Sequence, residues 1–277
     1  MRLMLAAAMA LLLLRPATAM AAVRDSCRLF VTAVMPGLLP YMVFSQMLLS
    51  RTRARSAGML TLLGWCGGSP TGARLAAMSP GMTARRRAFV TVATATMSPM
   101  FLVGTCGAWL GSARAGAVLL ISVLAGGGIA GAAAAAASGR AGEAGTGGAD
   151  LSPLSFGAAV EQAARTLLMV CGMMAMARVF AALAAEALPA FALPLTTLLE
   201  VTTGVQEIAS LPMPLAWRTA LIAAATGFGG LSILLQNRAA AGAQAPSVIR
   251  QTGWQALHGA LSGLLALGLM LLWGGET

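Results

Sequence analysis

Apolar residues run along this chain in blocks of about 20, each long enough to cross a hydrocarbon core of about 30 Å. The blocks fall at residues 3–23, 29–49, 88–109, 115–137, 158–185, 215–236 and 254–273, and they predict membrane-spanning helices. Two further apolar segments, 58–81 and 188–211, do not fit as spans. The first contains GGSPTGAR at 67–74 and the second LLEVTTGVQEIA at 198–209. In each, a Gly-centred polar interruption leaves two arms of about 12 residues, which rise about 18 Å. That reach ends just past the middle of a bilayer and predicts two re-entrant hairpins. Non-helical backbone survives at that depth only when buried in protein or lining a water-filled cavity, so the tips should form a pocket.

The elements repeat in the order span, hairpin, span, span. Thr71-Gly72 corresponds to Thr203-Gly204, and at the same offset Arg86 meets Arg218 and Ser98 meets Gly230. Gly116 and Gly253 open the last span of each half. Three crossings per half is an odd number, so the second copy enters the membrane inverted, as in many secondary transporters. The fold class expected is an all-α polytopic membrane protein with two inverted repeats. An N-terminal helix (1–25) precedes the first repeat (26–137), and a cytoplasmic loop (138–157) with Arg140, Glu143 and Asp150 leads to the second (158–277).

Composition agrees with a membrane protein. Of 277 residues, 58% are hydrophobic and 9% charged, against about 25% charged in a soluble domain. All 18 basic residues are arginine and the net charge is +10, which raises nucleic acid as a partner. The arginines are scattered in short loops, however, so they read as topology signals beside a lipid bilayer and not as a nucleic-acid surface. With the N-terminus inside and seven crossings, one face collects Arg2, Arg51, Arg53, Arg55, Arg85, Arg86, Arg87, Arg140, Arg238 and Arg250. The other face has Arg24, Arg28, Arg114 and Arg218, which makes the first face cytoplasmic. The first helix also imitates a secretory signal, with Ala17-Thr18-Ala19 as an A-x-A site. The reading adopted is a retained helix that holds Arg15 and Pro16, because the topology starts in the cytoplasm. Cys27, Cys66, Cys106 and Cys171 form no metal-ligand spacing and read as packing residues, His258 as a packed polar side chain. No cofactor or metal is implied, and assembly into a homo-oligomer stays open.

The residues that can bind a solute lie at four interruptions. At the first tip, Ser69, Thr71 and Gly72 offer donors, and Arg74 adds a fork suited to carboxylates. At the second tip, Glu200 precedes Thr202, Thr203 and Gly204. A carboxylate at that depth must be paired, protonated or bound to a cation, so Glu200 either takes a coupling proton or sodium or answers Arg74, for which Glu207 is the other counter-charge. MSPMFLVG places Ser98 and Pro99 inside one span. GFGGLSILLQN places Gly229, Gly230, Ser232 and Gln236 inside its counterpart. These breaks should line the same cavity. An intramembrane protease using Ser69 and His258 is the rival enzyme class. Proline follows the serine directly, and nothing places His258 within the roughly 3 Å a base requires, so the expectation is not an enzyme. A structural or regulatory membrane partner that transports nothing is a further rival.

In this order the four motifs resemble the sporulation integral membrane protein YlbJ (SpoVV) family, within the nucleoside-recognition or Gate domain group. The resemblance spans about residues 11–273. The family's G-Y-P-x-G-A-K resembles Gly68-Ser69-Pro70-Thr71-Gly72-Ala73-Arg74, and its S-P-x-F resembles Ser98-Pro99-Met100-Phe101. Its L-L-E-x-T-x-G resembles residues 198–204, and its F-G-G-L-S…Q resembles residues 228–232 with Gln236. Ser69 replaces the tyrosine, and Thr94, Ala95 and Thr96 stand where asparagines are expected. The resemblance implies a transporter of a small organic anion, dipicolinic acid, moved from mother cell toward forespore across the outer forespore membrane. The alternative within the group is a nucleoside-type transporter.

Overall fold

The computed structural model describes residues 2–52, 56–79, 81–138 and 153–273, and no strand occurs among the described residues. Arg53, Arg55, Arg140, Glu143 and Asp150, with most of the loop expected at 138–157, lie outside them. Five helices are long and apolar enough to cross a membrane: Pro16–Arg51, Ala113–Ala137, Phe156–Ala187, Leu215–Gln244 and Val248–Trp273. That set fits a multi-pass membrane protein.

The N-terminal expectation is corrected. Helix α1 (Arg2–Leu14) stops at Arg15, and α2 (Pro16–Arg51) runs without interruption through the residues assigned to the end of one span and the start of the next. Pro16 has no N–H to donate, and its ring excludes a helical carbonyl four residues back, so the helix restarts there. Arg15 takes φ −130° and ψ 54°, outside the helical region. No glycine or proline follows until Pro36, and the charges of Arg24, Asp25 and Arg28 do not end a helix. A π-helical turn at Phe30–Val34 absorbs one extra residue within α2. The break itself is held to the far end of α8 (Phe156–Ala187): Arg15 lies 3.7 Å from Glu186, and the Thr18 hydroxyl donates to the same carboxylate.

The remaining elements come in two runs of the same order. After α2 come α3 (Ala57–Gly67) and α4 (Thr71–Ala77), then α5 (Ala84–Ala93) and α6 (Met100–Trp109), then α7 (Ala113–Ala137). After α8 come α9 (Ala192–Leu199) and α10 (Val201–Ala209), then α11 (Leu215–Phe228) and α12 (Gly230–Ala241), then α13 (Val248–Trp273). Thus the span expected at 88–109 is two helices separated by an irregular stretch at 94–98, and the span at 215–236 is bent at Gly229. Hydroxyl caps start several elements: Ser56, Thr83, Ser112 and Ser155 each accept from a backbone N–H three residues on.

Helices α7, α11 and α13 pack on one another and α5 lies against α7, which makes one bundle. On the other side α2 packs along α8. Each short helix pair bridges these layers: α3 and α4 contact α2 and α5, α4 contacts α12, and α9 and α10 contact α8, α11 and α12. The bundle closes on small residues. A Cβ on Gly259 of α13 would fall 2.7 Å from the Ala224 carbonyl of α11, so the two backbones approach as closely as glycine allows.

Candidate functional site

The two tips and the two breaks meet around one cavity. Ser69 comes from the first tip and Thr202 from the second; Met97, Ser98 and Phe101 come from the first break, and Ser232, Ile233 and Gln236 from the second. Val34 and Leu38 of α2 and Val170 and Met174 of α8 complete the wall. The space inside is about 20 Å³ for water-sized occupants, room for one or two waters. The site is therefore too narrow in this conformation for an organic solute.

The local backbone explains why the tips reach each other. Gly68 has φ +63°, and a Cβ there would sit 2.6 Å from the Ser98 nitrogen, so only glycine lets the tip lie against the break. The Ser69 N–H donates to the Thr96 carbonyl at 2.7 Å and fastens the contact. Thr94 then fills the angle between the two arms, with its hydroxyl bonded to Val90 O at 2.6 Å and its side chain against Gly64 and Gly72. In the second half Gly204 of α10 lies against Thr197 of α9, and Gly229 and Gly230 turn the chain at φ +79° and +67°.

Glu200 is fully buried and its carboxylate is already spoken for. One oxygen accepts from the Thr202 N–H at 3.0 Å, and the other from the Thr203 N–H at 2.8 Å and the Thr203 hydroxyl at 2.6 Å. It caps α10, where the helix end favours negative charge. Arg74 is held elsewhere. Its guanidinium donates to the Gln162 side chain at 3.2 Å, to the Gln162 carbonyl at 3.5 Å and to the Thr166 hydroxyl, all on α8. The Arg74–Glu200 pair is not formed; among the described residues the ion pairs are Arg15–Glu186 and Arg165–Glu161.

The thirteen expected residues therefore separate by position. Ser69, Ser98, Thr202, Ser232 and Gln236 line the cavity. Thr71, Gly72, Thr203, Gly204, Gly229 and Gly230 shape the backbone around it, with the Thr71 hydroxyl donating to Gly67 O at 3.3 Å. Arg74 and Glu200 do not line it. Val34, Leu38, Val170 and Met174 had no place in the sequence reading. Those of α8 do have a signal, because Gln162, Thr166, Val170 and Met174 follow one another every four residues and so share a face. Two of the hydroxyls, Ser69 Oγ and Ser232 Oγ, are buried without any partner. Buried polar atoms normally have one, so these two are seats for a water or a ligand group.

His258 is not part of this site. It lines a separate cavity with Asn237 and Gln255, so Ser69 and His258 do not share a cavity. The cysteines are free, and Cys27 of α2 and Cys171 of α8 face each other with sulfurs 3.9 Å apart. No protein-family model, curated protein or solved structure matches the chain, so any kinship rests on its four motifs alone.

Proposed function

We propose that the protein is a multi-pass transporter that carries a small organic anion through the cavity between two inverted halves. By the resemblance to the YlbJ family the anion is dipicolinate, moved across the outer forespore membrane toward the forespore. One observation carries the reading: hydroxyls from both interrupted helix pairs of each half face a single buried space. Secondary transporters built from inverted repeats bind their substrate in this way, between broken helices near mid-membrane. The narrow cavity is then a contracted state, which widens as the halves part.

The anion preference rests on the hydroxyls and on Arg74. Ser69 and Ser232 have free donors for carboxylate oxygens, and Met97, Phe101 and Met174 offer apolar walls to a flat ring. Arg74 is bound to Thr166, one helical turn from Val170 on the same face of α8. Four residues rise about 6 Å, so a modest shift of α4 along α8 brings the guanidinium to the cavity's end. A second reading has its own support: the present lining holds no charged side chain, as suits an uncharged, nucleoside-like solute.

Binding of dipicolinate and uridine to purified protein separates the two. Dipicolinate should bind in preference, and Arg74→Gln should weaken it about tenfold or more, the loss of one charged hydrogen bond. Uridine binding that is tighter and survives Arg74→Gln establishes the neutral reading instead. Unchanged uptake in Arg74→Gln and in Ser69→Ala combined with Ser232→Ala would remove this cavity as the site.

A further inference from the structure

We propose that a second cavity, between α4, α5, α12 and α13, is a binding site for a neutral solute bearing a primary carboxamide or lactam group. The proposal is independent of the transport reading and uses none of its residues. It starts from an accumulation of unpaired polar atoms. Asn237 Nδ2, Gln251 Oε1, both amide atoms of Gln255, and His258 Nδ1 are all buried without a hydrogen-bond partner, and all four side chains line this cavity. Asn237 is 6% exposed, Gln255 3% and His258 0%. Each such atom costs free energy unless something answers it. Five around one space define a recognition surface.

The hydrogen-bonding pattern can be read atom by atom. His258 Nε2 lies 2.9 Å from the Val123 carbonyl, which only accepts, so Nε2 carries the proton and Nδ1 presents a lone pair. Gln251 uses its amide N–H on Leu234 O at 3.3 Å, which leaves its oxygen free. Gln255 offers a donor and an acceptor side by side, and Asn237 adds a donor. A carboxamide or lactam has the complementary pair, one N–H and one carbonyl oxygen in a plane, and meets Gln255 with two parallel bonds. Its second N–H, where it has one, goes to Gln251 or His258.

Charge excludes ionic solutes. No ionisable side chain other than His258 lines the cavity, and burying an unpaired ion is prohibitive. The neighbouring arginines have partners of their own: Arg238 donates to the Pro246 carbonyl at the mouth, Arg250 to the Ser138 hydroxyl at 2.9 Å and Arg87 to the Ala76 carbonyl at 3.1 Å. Size fits as well. The interior takes about 30 Å³ of water-sized occupants, two or three waters, which is the size of a carboxamide head. Toward the mouth the lining changes to half-buried Trp254 and Pro246, where a ring attached to that head lies against apolar and aromatic surface.

Titration of nicotinamide into the full chain in lipid nanodiscs, followed by tryptophan fluorescence, tests the site. A saturable change is expected, absent in Trp254→Phe and absent with nicotinate, which has the same ring but a charged head. Gln255→Leu should weaken nicotinamide by about tenfold or more, since two hydrogen bonds go. Asn237→Leu, on another helix, should weaken it in the same direction. Both replacements remove unpaired buried amides, so the melting temperature of the empty protein should hold or rise. No saturable change in the wild type means that water alone fills the cavity and overturns the proposal. So does binding that ignores Gln255→Leu, or nicotinate binding as tightly as nicotinamide.

Discussion

Replacing Gly72 by alanine adds one methyl group where the two arms of the first tip meet the break in the facing helices. That carbon would stand 1.8 Å from Thr94 Oγ1 and 2.4 Å from Thr94 Cβ. Thr94 cannot swing away, because it is 1% exposed, its hydroxyl is bonded to Val90 O, and its side chain also fills the space beside Gly64. The strain must be relieved by moving α4 away from α5. Overpacking of this kind costs about 3 kcal/mol, or roughly 6–12 °C in melting temperature for a chain of this size. The same substitution at Gly128 in α7, where nothing lies within 4 Å of the added carbon, is the control. It should be neutral or raise stability by up to about 1 kcal/mol through helix propensity. Thermal unfolding in detergent, read by circular dichroism, measures both. Thr94→Gly removes the opposing atoms, so combining it with Gly72→Ala should recover most of the loss and give a coupling of about 1–3 kcal/mol in a double-mutant cycle. A Gly72→Ala protein that melts with the wild type, or a double variant whose losses simply add, would refute this packing.

Glu200→Ala should destabilise the protein by about 2 kcal/mol through loss of a buried helix cap, and Glu200→Gln by less, with apparent melting temperature as the readout. Mild oxidation should join Cys27 to Cys171, whose sulfurs are 3.9 Å apart; mass spectrometry finding the two only in separate, unlinked peptides would contradict the α2–α8 packing. For topology, single cysteines at Arg86 and Ala187 should react with an impermeant thiol reagent from opposite sides of the membrane. Labelling of both from one side would end the inverted-repeat reading.

The interruptions of the chain were legible because they are written in local chemistry. Gly68, Pro70, Pro99 and the Gly229-Gly230 pair have backbone preferences that act wherever they occur, and the helices do end or bend at each of them. Proline at position 16 carried the same kind of signal. There the apolar block at 3–23 masks it, because its hydropathy carries on across the break at Arg15. Partners set by tertiary packing left no such trace. Arg74 could be matched to Glu200 on charge alone, yet its neighbours are Gln162 and Thr166, neutral residues 88 and 92 positions away. The cavity around His258 was invisible for the same reason, since its polar atoms come from α12 and α13 and show their lack of partners only once those helices are in place.

Gln236 and Asn237 are consecutive residues of α12, yet one borders the hydroxyl-lined cavity and the other the amide-lined one. Successive side chains on a helix point about 100° apart, so α12 is a shared partition and no rotation of it can alter one chamber alone. Its start at Gly229 and Gly230, both in the left-handed region, is the place where such a rotation meets least backbone resistance. An occupant that fixes the orientation of α12 from one chamber thereby sets the shape of the other. Thermodynamic linkage then requires the effect to be mutual: whatever factor a solute in the first chamber imposes on affinity in the second, the second returns to the first.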